Sequence, residues 1–381
     1  MDFTLSKEQR DIVRASRKFA LGEFPDRALE FDREETFDLD IWRKACELGF
    51  VGVFIASDYG GADMGFLEHC LISEEFWAVD PGIGQAILST TFGSELISLF
   101  GSEDQKKMIL PQLVSGKAII GTAITEPDAG SDVTSATTTA VKDSNKWVIN
   151  GNKMFATNGN IANYIVVFCQ TDPENPSRHE RYSFILVETD TPGYTSKKII
   201  GKMGIRASDT AEIVLLNVQV PLDNMVGKEG EGFHELMTFF NRTRLHICAQ
   251  AVGVARGALE ESIRHTKDRH QFGVPLASFQ VTQFKIAEMA TWIRAARNLY
   301  YEAAWLVDKG KVDHALIAMA KWFSAEMAVR CVDEAVQIHG GYGYIDEYKV
   351  NRLYRAAKVL EIYEGTKEME KTIISRTILR Q

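Results

Sequence analysis

The feature that most constrains this chain is a change of texture at two points. From about Ala118 to Val226 it runs as short β-branched and aromatic segments, "AIIGTAIT", "KWVING", "KMFAT", "NYIVVFC", "YSFILVE" and "AEIVLLNVQV". Turn residues bound them, Asn150-Gly151 and Asn158-Gly159 among them, and such dipeptides favour tight hairpins. The stretch predicts a compact all-β domain, a sandwich or barrel. On both sides the apolar spacing is helical. "SKEQRDIVRASRKFA" opens with Ser6 as N-cap and Gln9 three residues on, a capping box, and Ile12, Ala15, Phe19 and Ala20 mark one face. The glycine-rich "SDYGGADMG" separates it from a second helical stretch. Beyond Gly230, Val281, Phe284, Met289, Ile293, Ala296 and Tyr300 recur every three to five residues, the stripe of a bundle helix. "AVQIHGGYGY" then ends another helix in a glycine-rich turn. The order predicts an α+β chain of three domains: a helical domain over 1–117, a β domain over 118–229 and a helical bundle over 230–381.

Several function classes drop out. A net charge of -9 over 381 residues lacks the basic balance of a nucleic-acid surface. The five cysteines (Cys46, Cys70, Cys169, Cys248, Cys331) form no CxxC and sit among apolar or helical neighbours. They read as free buried thiols of a reducing compartment. No Cys/His pair has ligand spacing, so no metal site is expected. "GIGQAI", Gly82 to Ile87, lacks a third glycine and a preceding strand, which argues against a Rossmann nicotinamide site, and no P-loop motif occurs. No apolar run approaches the ~18 residues of a membrane span. "MDFTLSKEQRDIV" is not a signal peptide and "ILRQ" is not a peroxisomal address. The expectation is a cytoplasmic bacterial protein, or a mature organellar form with no transit peptide.

Four segments carry candidate chemistry. "GTAITEPDAGSD", Gly121 to Asp132, leaves a strand for a polar loop. There Thr125 and Ser131 offer hydroxyls and Gly130 lets backbone amides approach a ligand, although Pro127-Asp128 also fits a plain turn. "KMFATNG", Lys153 to Gly159, places Phe155 and Thr157 on one face of a strand. In "DRHQFG", Asp268 to Gly273, Arg269 suits a phosphate or a surface carboxylate. In "VLEIYEGTKEMEK", Val359 to Lys371, Glu361, Glu364 and Glu368 recur at helical spacing, but Gly365 interrupts the helix. Glu364 at that break is either a solvated helix end or a functional acid.

Together these segments read Thr-Glu-Pro-x-Ala-Gly-Ser-Asp, Asn-Gly-x-Lys-x-x-x-Thr-Asn-Gly, Arg-x-x-Phe-Gly, Gln-x-x-Gly-Gly-x-Gly and Tyr-Glu-Gly-Thr, in that order. From "LSKEQRDIV" to "IISRTIL" the chain resembles the acyl-CoA dehydrogenase family. The resemblance implies a helical N-terminal domain, a middle β domain and a C-terminal four-helix bundle, with FAD held without a Rossmann motif. It implies that Thr125 bonds the flavin ring together with the backbone of Ala123 and Ile124. Phe155 takes the place where many relatives carry Trp, keeping an apolar wall but no indole N–H, and Thr157 reaches the ring edge. Arg269, Gln271, Phe272, Gln337, Gly340 and Gly341 would grip the pyrophosphate and adenosine of a neighbouring subunit's FAD, which implies a homotetramer or at least a dimer. Thr366 and Glu368 would complete the chain's own cofactor site.

By the same resemblance Glu364 is the base. It would take the α-proton of a CoA thioester while the β-hydrogen leaves as hydride to flavin N5, and its backbone N–H would polarise the thioester carbonyl. Burial should raise its pKa toward the working pH. Some relatives carry the base on another helix, but Thr243 stands at that position here and cannot serve. Ser131 and Arg244 would contact the CoA, with Tyr363 and Gly365 beside the acyl group. "GQAILSTTFGSELISLF" and "RTRLHICAQ" would line the acyl pocket, with Leu88, Ser89, Thr91, Phe92, Leu245 and Cys248 as walls. The first run holds no Arg to meet a second carboxylate, and its bulk suggests a short, branched or alicyclic acyl group. The chain is also somewhat similar to dehydrogenases of cyclohexane- and cyclohexene-carboxyl-CoA. Certain of those use a pocket-helix Asp as base; Thr91 lies in that region here, so ordinary α,β chemistry through Glu364 is expected. An electron-transfer flavoprotein is the expected acceptor. An oxidase using O2 and a non-catalytic relative are the alternatives.

Overall fold

The structure, a computed structural model, describes residues 4–379. Met1–Phe3 and Arg380–Gln381, parts of the end segments read above for targeting, lie outside it. Seven helices come first: α1 Lys7–Glu23, α2 Pro25–Glu34, α3 Leu39–Glu47, α4 Phe66–Val79, α5 Pro81–Leu88, α6 Ser94–Phe100 and α7 Glu103–Val114. The capping box forms as read, with the Gln9 N–H on Ser6 Oγ at 3.1 Å and the Ser6 N–H on Gln9 Oε1 at 2.9 Å. Ala15, however, is exposed, and Ser16 takes its place on the inner face. The Ser16 hydroxyl donates back to Ile12 O at 2.8 Å, so this polar residue is buried at no hydrogen-bond cost.

Eight strands follow: β1 Ile120–Ala123, β2 Thr139–Asp143, β3 Lys146–Thr157, β4 Tyr164–Gln170, β5 Tyr182–Glu188, β6 Tyr194–Lys198, β7 Thr210–Pro221 and β8 Met225–Val226. Their order is β6-β7-β3-β2-β4-β5-β8, with β1 added parallel to β4. The two halves meet at one pairing, Thr139 with Gln170. "KWVING" and "KMFAT" are one strand rather than two. Asn150-Gly151 is a bulge in β3, where the register with β7 shifts between Ile149 and Gly151. Asn158-Gly159 is a turn as expected, with Asn158 at φ 61°.

The remaining elements are α8 Gly232–Asp268, β9 His270–Gln271, β10 Val274–Pro275, α9 Gln280–Asp308, α10 His314–His339, α11 Lys349–Ala357 and α12 Lys367–Leu379. On α9, Met289, Ile293, Ala296 and Tyr300 are buried, but Val281 and Phe284 stand off the bundle and are exposed. All five cysteines are buried and free. Among the described residues no helix is long and apolar enough to cross a membrane, and no cluster of three metal-ligating side chains occurs.

Two helices tie the layers together. Helix α4 buries 13 of its 14 residues, as expected of a helix apolar on all sides. It lies so close to α8 that a Cβ on Gly257 would come 2.3 Å from Ala78 O. Its Glu74 is held by Arg297 Nη2 at 2.6 Å and the Tyr300 hydroxyl at 2.6 Å, so the buried charge is paired. Helix α8 crosses between cores. Leu236 and Phe239 pack with Val166, Phe168 and Phe184 of the sheet, while Leu245 to Ala258 pack in the bundle. Thr243 and Arg244 therefore sit where the β domain gives way to the bundle.

Candidate active site

Glu364 lies in the break between a 3-10 turn, Lys358–Glu361, and α12. The helical bonding before it runs to the Tyr363 N–H, which donates to Val359 O at 3.1 Å. Glu364 then takes φ 57° and Gly365 φ 100°. Two consecutive left-handed residues reverse the chain, and for Glu that conformation carries strain of a kind concentrated at functional sites. Gly365 is required for a second reason: a Cβ there would lie 2.3 Å from Glu370 Oε1. Thr366 starts α12 by accepting the Met369 N–H on its hydroxyl at 3.4 Å.

The break is held from α8 and α10. Thr243 Oγ1 donates to Glu364 Oε2 at 2.5 Å, Arg244 Nε to Glu364 O at 3.1 Å, and the Lys321 ammonium to Gly365 O. Tyr363 donates its hydroxyl to Gln250, whose amide donates to Gln85 Oε1 at 2.8 Å, linking the break to α5. Burial pushes the Glu364 carboxyl above the ordinary carboxylate range. The Thr243 hydrogen bond and the charges of Arg244 and Lys321 pull the other way without cancelling that rise. The result is a partly exposed acid with raised proton affinity on a rigid turn. Arg244 is itself buried, and its Nε meets Glu364 O and Glu370 inside the fold.

A second group of predicted residues assembles on the sheet. The Met154 N–H donates to Thr125 O at 2.8 Å, which docks the loop after β1 beside Phe155. Fully buried Lys153 bonds Ile124 O at 3.0 Å and Glu126 Oε1 at 2.8 Å. Glu126 also accepts the Thr137 N–H at 2.6 Å and the Thr138 N–H at 2.9 Å. Burial alone would raise the Glu126 carboxyl, but Lys153 and these donors overcome it and hold it down at about 2. Phe155 adopts φ 57° at the second irregularity of β3 and is 62% exposed. A large aromatic held out of the core beside half-buried Thr125 and Thr157 offers an apolar wall with hydroxyls next to it. Ser131 and Gly130 are exposed, and a Cβ on Gly130 would meet nothing within 4 Å.

A third group frames a cavity of about 480 Å³ where the end of α8 meets the end of α10, lined by His265, Arg269, Gln271, Gly340, Gly341 and Tyr342. The Arg269 guanidinium lies 5.7 Å from the Tyr342 ring centroid. Gln337 is exposed, and Phe272, at φ 52°, is 95% exposed. A cation, an aromatic face and open glycine backbone suit a nucleotide phosphate and base. No secondary-structure element of this group is shared with the Thr125–Phe155 group.

The chain matches the acyl-CoA dehydrogenase N-terminal domain over residues 6–117, the middle domain over 121–218 and the C-terminal domain over 230–379. It belongs to the acyl-CoA dehydrogenase family. It is 39% identical over 383 residues to the acryloyl-CoA reductase (NADH) of Anaerotignum propionicum, covering 100% of this chain and 97% of that one. It is 39% identical over 378 residues to the cyclohex-1-ene-1-carbonyl-CoA dehydrogenase of Geobacter metallireducens, covering 98% of this chain and 99% of that one. The solved butyryl-CoA dehydrogenase of Megasphaera elsdenii superposes with a TM-score of 0.96 at 37% identity, over 100% of both chains.

Within this acyl-CoA dehydrogenase fold, Leu88, Ser89, Thr91, Leu245 and Cys248 are all buried. Thr91 donates to Leu88 O at 3.3 Å, and Asn158 Nδ2 to Ser89 O at 2.6 Å, which ties this region to the turn after β3. Leu88 packs with the N-terminal helices and the sheet, Leu245 with the bundle. Glu368 is exposed on α12. Sequence reasoning missed three charged residues around the break. Buried Glu95 is pushed up to about 7 by burial, with the Glu364 charge adding to the rise. Lys321 is pushed down to about 8 by burial, and Glu370 up to about 7. A signal existed for two of them: Lys321 falls on the apolar face of α10, between Ile317 and Ser324, and Glu95 interrupts the apolar run "SELISLF".

Proposed function

We propose that this chain catalyses the FAD-dependent α,β-dehydrogenation of an acyl-CoA thioester with a short, branched or alicyclic acyl group, Glu364 taking the α-proton. The observation that carries this is a carboxyl of raised proton affinity, projecting from a left-handed turn that three donors from α8 and α10 fasten in place. A base must hold its proton well enough to abstract it at neutral pH, and the burial of Glu364 provides that. The left-handed turn carries Glu364 outside the regular helices, which supports a role for its N–H in polarising the thioester carbonyl.

The donor set fits FAD: an aromatic held out of the core, hydroxyls beside it, and an open cavity with an arginine and bare glycine backbone. FAD would supply the hydride acceptor for the β-hydrogen. Ala123, Ile124, Thr125, Phe155 and Thr157 would hold its ring system, with Thr366 and Glu368 completing that site. Arg269, Gln271, Phe272, Gln337, Gly340 and Gly341 would hold the phosphates and adenosine of a neighbouring subunit's cofactor, in a homotetramer or at least a dimer. Ser131 would meet the CoA, Leu88, Thr91, Leu245, Tyr363 and Gly365 the acyl side, and Arg244, buried against the Glu364 carbonyl, would act from inside the fold. The domains divide near 117 and 229, the setting is the cytoplasm, and the electron acceptor is an electron-transfer flavoprotein.

A second reading runs the same residues in reverse, with Glu364 returning a proton to the α-carbon of an enoyl-CoA. The acryloyl-CoA reductase relative favours it, and the cyclohexene-carbonyl-CoA relative favours the alicyclic substrate. The test is a panel of saturated and unsaturated acyl-CoA thioesters, assayed with an artificial electron acceptor, with a reductant, and by oxygen uptake. Oxidation of a short or alicyclic ester without oxygen uptake is expected. Rapid oxygen uptake would make the protein an oxidase, and colourless protein that cannot take up FAD would make it a non-catalytic relative.

A further inference from the structure

Beneath the break lies a charge cluster that the proton-abstraction reading does not use. Glu370 is 0% exposed and Lys321 1% exposed. Arg244 Nε stands 3.1 Å from Glu370 Oε1, yet its N–H is aimed at Glu364 O at the same distance. The Lys321 ammonium likewise donates to Gly365 O. Neither Glu370 oxygen has a hydrogen-bond partner among the described residues, and Oε1 lies where a Cβ on Gly365 would be, 2.3 Å away. The carboxylate therefore acts on the two cations through charge, and they in turn hold the two carbonyls of the strained turn.

We propose that Glu370 is the positioning residue of the base: it keeps Arg244 and Lys321 buried against the carbonyls of Glu364 and Gly365 and offsets their charge beneath the Glu364 carboxylate. Two buried cations without a counter-ion would be costly and would leave the turn for solvent or for each other's repulsion. Facing Glu364 are Thr243 and Arg244 on α8, Lys321 on α10, Glu370 on α12 and Glu95 on α6, with Cys248 of α8 against Lys321. Two cations thus face the carboxyls of Glu364, Glu370 and Glu95. Removing Glu370 takes one negative charge from beneath Glu364 and makes it a weaker base; removing Lys321 does the opposite.

This inference rests on Glu364 being the base, and the experiment separates the two. Glu370→Gln keeps the shape and loses the charge, while Lys321→Met removes one cation. Each is purified with FAD, its flavin content is measured, and kcat/KM per flavin is followed against pH beside Glu364→Gln. The acid limb should move to lower pH in Glu370→Gln and to higher pH in Lys321→Met, and Glu370→Asp should restore part of the parental position. A merely structural role would lower yield or flavin content without moving the limbs in opposite directions. Limbs that coincide with the parent's, or that move the same way, overturn the proposal. If Glu370→Gln is recovered unfolded, the Lys321→Met limb alone decides, and an unmoved limb overturns it. If Glu364→Gln keeps the parental rate, the base itself has been misassigned. If it is inactive while the other limbs coincide, only the role of Glu370 fails.

Discussion

Glu126 and Glu364 are both carboxyls within reach of a buried lysine, yet they are driven in opposite directions. Glu126 is surrounded by donors: Lys153, two backbone N–H groups and the Thr137 hydroxyl at 2.9 Å. Its proton is held only near pH 2. Glu364 has one hydroxyl on its carboxylate, and the nearby cations spend their hydrogen bonds on carbonyls instead. Its proton affinity rises. Desolvation raises both, so desolvation alone does not make a reactive acid. What differs is whether the donors reach the carboxylate or stop at the backbone beside it. One arrangement fastens a loop to a strand, and the other leaves a carboxyl of raised proton affinity.

The contrast can be broken at either end. The largest effect is expected from Glu364→Gln, which keeps size and hydrogen bonding but cannot accept the proton. General-base catalysis is typically worth ~10²–10⁴ in rate, and steady-state turnover should fall by that order while FAD content persists. Next comes Lys153→Met, which leaves Glu126 buried without its ion-pair partner. Breaking a buried pair costs about 3–5 kcal/mol, so the thermal midpoint should drop sharply in calorimetry, with the Thr125 loop and flavin retention lost before the bundle is affected.

A pH titration sharpens the comparison further. The folded Glu126 carboxyl is depressed to about 2 from an ordinary 4.5, so it binds its proton less readily than in the unfolded chain. The stability it contributes is therefore complete above about pH 4.5 and is lost as pH falls toward 2. Equilibrium unfolding of Glu126→Gln should lack that part of the acid dependence. The smallest effect is expected from Thr243→Val. Losing the one hydroxyl on Glu364 should move the acid limb of kcat/KM to higher pH without loss of FAD. A limb unmoved in that variant would mean that the hydroxyl does not set the base's proton affinity.

Much of this was legible because the motifs are contiguous. The capping box, the break at Gly365, the loop after β1 and the turn after α10 are local features, and local chemistry is written in adjacent residues. The same locality misled at Asn150-Gly151, where a dipeptide typical of hairpins sits in a continuous strand because β7 supplies a partner on both sides of the bulge. It misled at Ala15, since nothing nearby shows that Ser16 can satisfy its own hydroxyl on Ile12 O. Val281 and Phe284 carry the apolar period of α9 beyond the part of the helix that the bundle covers. The cluster around Glu364 was harder still. Thr243 and Arg244 lie about 120 residues before it and Lys321 about 44 before Gly365. Only the packing of α8, α10 and α12 reveals that Thr243, set aside as a base, is the donor to Glu364.

The most direct test of the central claim is a single turnover without oxygen. The FAD-loaded parent and Glu364→Gln are each mixed anaerobically with an acyl-CoA ester that the parent oxidises, and flavin absorbance is followed beside binding of the ester. The account predicts bleaching of the parent within its turnover time. In Glu364→Gln it predicts no bleaching on that timescale, although FAD and the ester remain bound. Bleaching of Glu364→Gln at the parental rate would contradict it, and the base would then have to be sought in another carboxyl, with Glu95 of α6 the first to replace.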